Sequence, residues 1–454
     1  MVKPTTHPTL ASQATPQKPS EKLKPLQHLR ASDARAVAQL AIQATVGVAH
    51  MAEGVHQSVW STLGATGGKV PGQTGGLTGL IYQSVRGITT LIGKGLDGAF
   101  TRLQPLFEAA DQAAPESPQR EAVVAALNGV LGDRLVASGN PLATPMTLRY
   151  SIGRDDQRAR NAQNAVLDWQ VLPADFKPTG KVLVFIHGLC MNDLQWQSVH
   201  AQPGSERGSE PGADHGTALA TTLGYTPVYV RYNTGQHTST NGHLLSAQLE
   251  QLAQHWPTPI TDLTVVAHSM GGLVTRSALH TATHPPGQGL KWPTLMKNIV
   301  FLGTPHHGAP LERAGNWIDV ILGSTPYSRP FAKLGQLRSA GITDLRYGHV
   351  LDADWQGHDR FRRKPDSRES VPLPEGVACY CVAATTASKR SLVADRLVGD
   401  GLVPLPSALG LHHDPKHNLK FAKDKQMTAF NMNHMELLTR SEVTNQIVKW
   451  LGHG

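Results

Sequence analysis

The chain has 454 residues and a formal net charge of +8; 40% of its residues are hydrophobic and 17% are charged. This hydrophobic content over this length supports a sizeable core and excludes wholesale disorder. Nucleic-acid binding is disfavoured, because the basic residues are scattered and the densest run, at 360–364, has Asp359 and Asp366 beside it.

The three cysteines, Cys190, Cys379 and Cys381, form no spaced framework, so we expect no structural disulfides. Cys379 and Cys381 are two apart in a predicted strand and are interpreted as small buried residues on one face of it. Neither a signal-peptide pattern nor an apolar run of about 18 residues is seen. The sequence therefore predicts a cytoplasmic protein, with peripheral membrane contact left open.

The first 140 residues divide into two segments by composition. Residues 1–30 are rich in Pro, Thr, Gln and Lys, which is typical of a solvated tail. Residues 31–140 are predicted to form a helical extension, because apolar residues recur at three- and four-residue steps. Its last helix is predicted to begin at Ser117-Pro118 and to end near Gly139. We interpret the extension as packing on the main domain; an amphipathic membrane-surface device is the alternative.

Residues 141–454 are predicted to form the main domain. Short β-rich runs alternate with helical stretches there, which predicts an α/β fold with a mainly parallel sheet and helices on both faces. The predicted strands are 146–152, 165–171, 182–186, 227–232, 263–267, 298–302, 377–383 and 426–430. Residues 309–375 interrupt this rhythm and are interpreted as an inserted lid or cap between two core strands.

Ser269 is the candidate nucleophile. It stands in the sequence VVAHSMGG, at the apex of a tight turn between an apolar strand and a helix. Such a turn lifts the serine oxygen above the sheet and needs small residues two positions to either side. Gly271 meets this need, and Ala267 departs from G-x-S-x-G but is still small. Because a serine followed by glycines also occurs in ordinary turns, its partners must decide between the two interpretations.

An oxyanion hole is predicted where a second apolar strand ends, in the sequence FIHGLC. Acyl transfer requires two fixed N–H donors for the developing negative charge. A His-Gly turn can direct the amide of Leu189 into the site, and the amide of Met270 directly follows the nucleophile. We interpret His187 as structural, with its ring hydrogen-bonded to hold the loop.

The acid and the base are predicted in two loops near the end of the chain. Asp400 lies between two glycines in GDGLVP, and His434 in NHMELL lies between the last strand and the final helix. The chain order is therefore nucleophile, acid, histidine, which a serine hydrolase of this strand-turn-helix type requires. The competing residues are Asp395 for the acid, and His412, His413 and His417 for the base. The competing histidines precede the last strand, so we predict a triad of Ser269, Asp400 and His434.

These motifs, together with LGTPHHG at 302–308, resemble the lipase-like α/β-hydrolases, in the branch of bacterial lipases and GPI inositol-deacylase-like proteins. The resemblance covers roughly 181–310 and 396–438. It implies an α/β-hydrolase fold and a carboxylic-ester hydrolase with a mobile lid between its sixth strand and the acid. Alanine at position 267 is compatible with it, since some lipases of this fold also use alanine there.

The predicted function is therefore that of a lipase or esterase acting on a small-molecule or lipid ester, with no cofactor, metal or nucleic-acid partner; the oligomeric state stays open. The alternatives are a thioesterase, an intracellular polyester depolymerase, or a hydrolase-fold protein that binds a membrane or partner without catalysis. Two histidine groups could supply metal ligands but are interpreted as exposed loop residues, because neither has a diagnostic spacing. They are His306-His307, and His412-His413-Asp414 with His417.

Overall fold

The computed structural model describes residues 118–151, 164–172, 176–197, 214–285, 289–309, 339–359, 366–388 and 399–452. The predicted tail, the predicted helices before residue 118 and the competing acid Asp395 lie outside these ranges. So do 310–338 and 360–365 of the predicted lid.

A single sheet of eight strands forms the centre of the described structure, in the order β2-β1-β4-β3-β5-β6-β7-β8. Neighbouring strands are parallel from β4 to β8, and only β1 pairs antiparallel, with β2 and with β4. The strands are β1 Thr147–Ser151, β2 Asn164–Val166, β3 Lys181–Ile186, β4 Thr226–Arg231, β5 Asp262–His268, β6 Met296–Leu302, β7 Ala378–Thr385 and β8 Gln426–Phe430. The predicted mainly parallel α/β fold is confirmed.

Each predicted strand coincides with an observed one, and the largest difference is at the sheet edge. Strand β2 ends at Val166, whereas the pattern predicted a strand to residue 171. The chain turns after Asp168, whose side chain accepts the N–H of Gln170 at 2.9 Å and whose carbonyl accepts the N–H of Val171 at 3.2 Å. Aspartate often closes such local turns, and this one ends the pairing with β1.

Helices cover both faces of the sheet. Along β3, Val182, Val184 and Ile186 join one apolar cluster, while Leu183 and Phe185 join the other. This alternation buries both faces, as expected of a central parallel strand. The helices are α1 Pro118–Ala137, α2 His215–Leu223, α3 Thr238–His255, α4 Met270–Thr283, α5 Trp292–Leu295, α6 Ala340–Tyr347, α7 Leu405–Ala408 and α8 Ser441–Gly452.

Helix α1 is the last helix of the predicted N-terminal extension. It extends over Pro118–Ala137, within two residues of the predicted end, and Gly139 follows with a φ of +61°. Its apolar residues Ala126, Val130 and Leu135 are buried in the larger cluster, together with residues of α3 and α4. This helix therefore packs on the main domain. The boundaries proposed for the whole extension stay a prediction.

The segment predicted as an inserted lid, 309–375, lies between β6 and β7. In its described parts it contains the helix α6 and a 3₁₀ turn at Asp352–Asp354, and no strand. Its function as a lid stays a prediction. Within the described ranges, none of the helices combines the length and the apolar character needed to cross a membrane.

Candidate active site

Ser269 lies at the turn between β5 and α4, with a φ of 54° and a ψ of −123°. A positive φ is unfavourable for a residue with a Cβ, so this backbone is strained in the manner of a nucleophile turn. The turn is fixed to the next strand, because the Ser269 N–H donates to the carbonyl of Leu302 at 2.8 Å. The predicted turn geometry is present, with the side chain 5% exposed.

Close packing explains the small residues around Ser269. A Cβ on Gly271 would lie 2.5 Å from the carbonyl oxygen of Ile186 and 2.8 Å from that of His187, and backbone atoms cannot give way as a side-chain tip can. Ala267 is fully buried in β5, with Ile186 and Phe301 as its register partners on the two neighbouring strands. Alanine therefore fits the position that glycine holds in G-x-S-x-G.

Asp400 and His434 are in direct contact. The Nδ1 of His434 lies 2.6 Å from the Oδ2 of Asp400, and both side chains are buried. The other carboxylate oxygen accepts the N–H groups of Leu402 and Val403 at 3.0 and 2.8 Å. The His434 N–H also donates to the carbonyl of Asp400 at 3.0 Å, so the two loops are joined by backbone as well. The carboxylate is therefore held rigidly against one nitrogen of the imidazole.

The His434 ring lies beside the loop that carries Ser269. The Nε2 of His268, the residue before the serine, is 3.1 Å from the carbonyl oxygen of His434, and the centroids of the two rings are 4.6 Å apart. The Nε2 of His434 is buried and has no hydrogen-bond partner in the described part of the chain. The ring nitrogen remote from Asp400 is thus available for another group.

The predicted oxyanion donors, Leu189 and Met270, belong to two segments that meet at the serine. A Cβ on Gly188 would lie 3.0 Å from the Cβ of Ser269, so the loop after β3 touches the nucleophile turn. Leu189 follows Gly188, and Met270 is the first residue of α4. Among the described residues, neither the Leu189 N–H nor the Met270 N–H donates to a protein acceptor. Both amides are therefore available to a ligand.

Backbone strain is concentrated at these loops. In the described residues, three residues other than glycine have a positive φ: Cys190 at 59°, Ser269 at 54° and Asn431 at 51°. They lie next to Leu189, at the nucleophile itself, and three residues before His434. Strain of about 1–3 kcal/mol per residue persists only where the surroundings impose it, and it clusters at functional sites.

The histidines around the serine are kept neutral by burial. Burial lowers the pKa of His187 to about 4, and it holds the pKa of His268 well below the usual value, with the neighbouring His434 adding to the effect. The Nδ1 of His187 lies 3.0 Å from the carbonyl oxygen of Gly188, and its ring stacks on Tyr232 at 4.4 Å. These contacts match the predicted structural role of His187.

Sequence reasoning missed His268, which contacts His434 from the position just before the nucleophile. It also gave no role to Gly303, where a Cβ would lie 3.1 Å from the Nδ1 of His434. The available signals were the His-Ser pair in the turn and the Gly in LGTPHHG. Neither motif shows by itself that two distant loops meet, so the contacts could not be derived from spacing.

The prediction of exposed loop histidines was wrong for most of them: two are buried, and His307 and His412 are half-buried. His306 is 1% exposed and His417 is 7% exposed. His306 packs against the rings of Phe301, in β6, and Phe421, between β7 and β8, with ring centroids 4.9 and 5.5 Å away. In the described residues, no group of three or more His, Cys, Asp or Glu side chains has the geometry to hold a metal ion.

The cysteine interpretation is confirmed for the strand pair. Cys379 and Cys381 are free and buried on the same face of β7, in the larger apolar cluster. Burial raises the pKa of each thiol to about 12, so both thiols stay protonated and inert at neutral pH. Cys190 is also free and buried.

Residues 177–367 match the family described as PGAP1-like alpha/beta domain. This match extends from before β3 into the insertion after β6. It includes Ser269 and both predicted oxyanion donors, and it ends before Asp400 and His434.

Three of the solved structures that are similar to this chain are hydrolases by name. The mature lipase BlEst2 of Bacillus licheniformis is 18% identical, with a TM-score of 0.37, over 62% of this chain and 95% of that one. Aspergillus fumigatus lipase B is 10% identical, with a TM-score of 0.35, over 62% of this chain and 56% of that one. The Pyrococcus furiosus esterase PF2001 is 13% identical, with a TM-score of 0.32, over 61% of this chain and 82% of that one. No curated protein matches the chain in sequence.

Proposed function

We propose that this chain, a member of the α/β-hydrolase superfamily, is a serine hydrolase that cleaves carboxylic esters. The observation that carries the proposal is the buried 2.6 Å contact of His434 with Asp400, beside a serine with the strained backbone of a nucleophile turn. In this site Ser269 is the nucleophile, His434 the base and Asp400 the orienting acid.

The reaction follows from the available atoms. The Nε2 of His434 removes the proton from the Ser269 hydroxyl as its oxygen attacks the ester carbonyl, and Asp400 keeps the proton on Nδ1. The N–H groups of Leu189 and Met270 stabilise the tetrahedral oxyanion. His434 then protonates the leaving alcohol, and an acyl-enzyme forms. A water molecule activated by His434 releases the acid and regenerates the serine.

An oxoester is the substrate class we favour, and two alternatives share its chemistry. A thioesterase and a polyester depolymerase use the same acyl-enzyme step, and pocket shape distinguishes them. A non-catalytic, membrane- or partner-binding role is the alternative from another class. The rigid Asp400–His434 pair argues against that role, because a binding module has no need of an oriented imidazole.

The test is hydrolysis of a p-nitrophenyl ester series, from short to long acyl chains, by the wild type and by Ser269→Ala. We expect activity in the wild type and a fall of about 10³-fold or more in the mutant, since loss of the nucleophile removes the covalent route. Ser407→Ala is the matched control, because Ser407 is also buried but binds the carbonyl of Gly308, at 2.8 Å.

The acyl-chain optimum then separates an esterase from a lipase. Acyl-thioesters and polyester oligomers are assayed with the same two variants. Activity on these alone would replace the oxoester proposal by one of its alternatives. Equal activity in the wild type and Ser269→Ala, or none on any acyl donor, would contradict the proposal.

A further inference from the structure

Helix α1 lies against the loop that carries the predicted oxyanion donor Leu189. A Cβ on Gly129 would lie 2.1 Å from the Sγ of Cys190 and 3.0 Å from its Cα. The Sγ of Cys190 is also 4.0 Å from the carbonyl oxygen of Ala126, one helical turn earlier. Only a residue without a side chain allows the helix to approach this loop so closely.

Cys190 is the strained residue of that loop. Its φ is +59°, and its N–H donates to the hydroxyl of Thr234 at 3.1 Å. Burial raises the pKa of its thiol to about 12, so the thiol packs as a small neutral group. The Leu189 N–H belongs to the peptide unit between Gly188 and Leu189, so a shift of Cys190 reaches this N–H through the backbone dihedral angles of Leu189.

Buried ion pairs connect α1 to Asp193, which follows this loop in the chain. Glu121 of α1 pairs with the Nη1 of Arg231 at 2.8 Å, and the Nε of Arg231 pairs with Asp193. Asp193 also receives the side-chain N–H of Asn164 at 2.7 Å and faces the Nε of Arg149 at 3.3 Å. All these side chains are buried. We call Glu121, Arg149, Asn164, Asp193 and Arg231 the buried charge cluster.

The other side of α1 is fastened as well. The hydroxyl of Ser339 donates to the carbonyl of Gly129 at 2.6 Å, and the N–H of Ala340 donates to Asp133 at 3.1 Å. Ser339 caps helix α6 by accepting the N–H of Ile342 at 3.3 Å. Helix α1 is therefore held between the insertion and the loop after β3.

We infer that α1 is a positioning element of the oxyanion hole, and that Gly129 is the positioning residue that sets the place of Cys190 and hence of the Leu189 N–H. This inference rests on the proposed function for its kinetic consequence. It gives the last helix of the predicted N-terminal extension a role in catalysis through its contact with this loop.

The decisive variant is Gly129→Ala. Alanine favours helices, so the change would stabilise α1 if space were available. Because Cys190 must move instead, we expect the kcat for ester hydrolysis to fall by about 10- to 100-fold with little change in KM; complete loss of one oxyanion donor costs about 10²–10³ in rate. Cys190→Gly in the same chain removes the nearest atom and tolerates the positive φ, so the double mutant should recover the kcat of Cys190→Gly alone.

Gly452→Ala is the matched control, because a Cβ at this position at the end of α8 meets only Leu223, at 3.4 Å. It should leave kcat unchanged. Amide exchange supplies a readout that needs no activity. The Cys190 N–H should exchange faster in Gly129→Ala, since its bond to Thr234 is broken, and the rate should return in the double mutant.

Two results would overturn the inference. The first is a Gly129→Ala protein with wild-type kcat and wild-type exchange at Cys190. The second is a loss of kcat that Cys190→Gly does not reverse, which would show a general effect on the fold. If the wild type hydrolyses no acyl donor, the proposed function fails, and the exchange measurement alone decides whether Gly129 positions the loop.

Discussion

Gly303 leaves room for the imidazole of His434, because glycine has no side chain. A Cβ there would lie 3.1 Å from both the Nδ1 and the Cε1 of the ring, and 2.8 Å from the Cδ1 of Leu437. Gly303 also has a φ of +56°, directly after β6. The end of one strand thus fixes where a loop more than a hundred residues later can place its histidine.

Gly303→Ala should therefore reduce catalysis more than stability. We expect kcat to fall at least about tenfold, because a misplaced catalytic group costs that much or more. Gly139→Ala is the control: Gly139 has a φ of +61° with no atom near its Cβ position, so it shares the backbone strain without the contact. Gly139→Ala should lose about 1–2 kcal/mol in urea unfolding from backbone strain alone, and Gly303→Ala at least as much. An equal loss of kcat in both would contradict the steric role.

Asp400→Asn should preserve the fold and remove most of the activity. The amide can accept the same backbone N–H groups, but it no longer stabilises the imidazolium or selects the tautomer of His434. We expect kcat to fall by about 10²–10⁴. Asp414→Asn, at the surface in a lysine pair, should keep wild-type kcat. Steady-state kinetics on one ester checks both, and an active Asp400→Asn would reopen the choice of acid.

Gly271→Ala should damage the nucleophile turn itself. The added Cβ meets two backbone carbonyl oxygens, of Ile186 and His187, so the strand or the turn must move. We expect a destabilisation of about 1–3 kcal/mol, as for overpacking in a tight core, with loss of ester hydrolysis. Thermal unfolding and kinetics are compared with Gly452→Ala. A Gly271→Ala protein with wild-type stability and rate would show that the turn tolerates a side chain.

Asp193→Asn tests the buried charge cluster. Burial alone would raise the pKa of Asp193, but the guanidinium groups of Arg231 and Arg149 outweigh it and hold that pKa below its usual value. Loss of one partner leaves buried charge uncompensated, so we expect about 3–5 kcal/mol of destabilisation at pH 7. The difference between variant and wild type should shrink as the pH falls below about 4, where the unfolded carboxylate protonates. Asp414→Asn, in an exposed pair with Lys416, should leave the free energy of unfolding almost unchanged.

The buried histidines should make the protein less stable in mild acid. Burial lowers the pKa of His187 to about 4 and holds those of His268 and His306 well below the usual value. The unfolded chain therefore binds more protons below about pH 6.5, and the free energy of unfolding decreases as the pH falls. For His187 the loss is up to about 1.4 kcal/mol per pH unit between 6.5 and 4.

Urea unfolding at several pH values measures this slope. His306→Leu should reduce the slope of stability against pH by the contribution of one buried histidine. Leucine should be tolerated there, because neither ring nitrogen of His306 has a hydrogen-bond partner in the described residues and its neighbours are aromatic. A stability that stays flat from pH 7 to 5, or a slope unchanged in His306→Leu, would contradict the assignment of neutral buried histidines.

The sequence by itself determined the sheet and the candidate residues. Apolar runs such as β3 are readable because a strand buried on both faces needs apolar residues at every position. The turn at Ser269 is readable because its strained backbone restricts its neighbours to small residues. Chain order then favoured Asp400 and His434, and the structure brings these two side chains into contact.

Only the tertiary structure decided which loops touch. The contacts of Gly303 with His434, of His268 with His434 and of Gly129 with Cys190 each join segments that are remote in sequence. Periodicity and propensity describe neighbours along the chain, whereas these contacts depend on strand order and on how each helix crosses the sheet. For the same reason, the burial of His306 and the anchoring of α1 by buried charges could not be read from spacing. Tertiary packing places Gly129 against Cys190, and it buries His306, which the sequence predicted to be exposed.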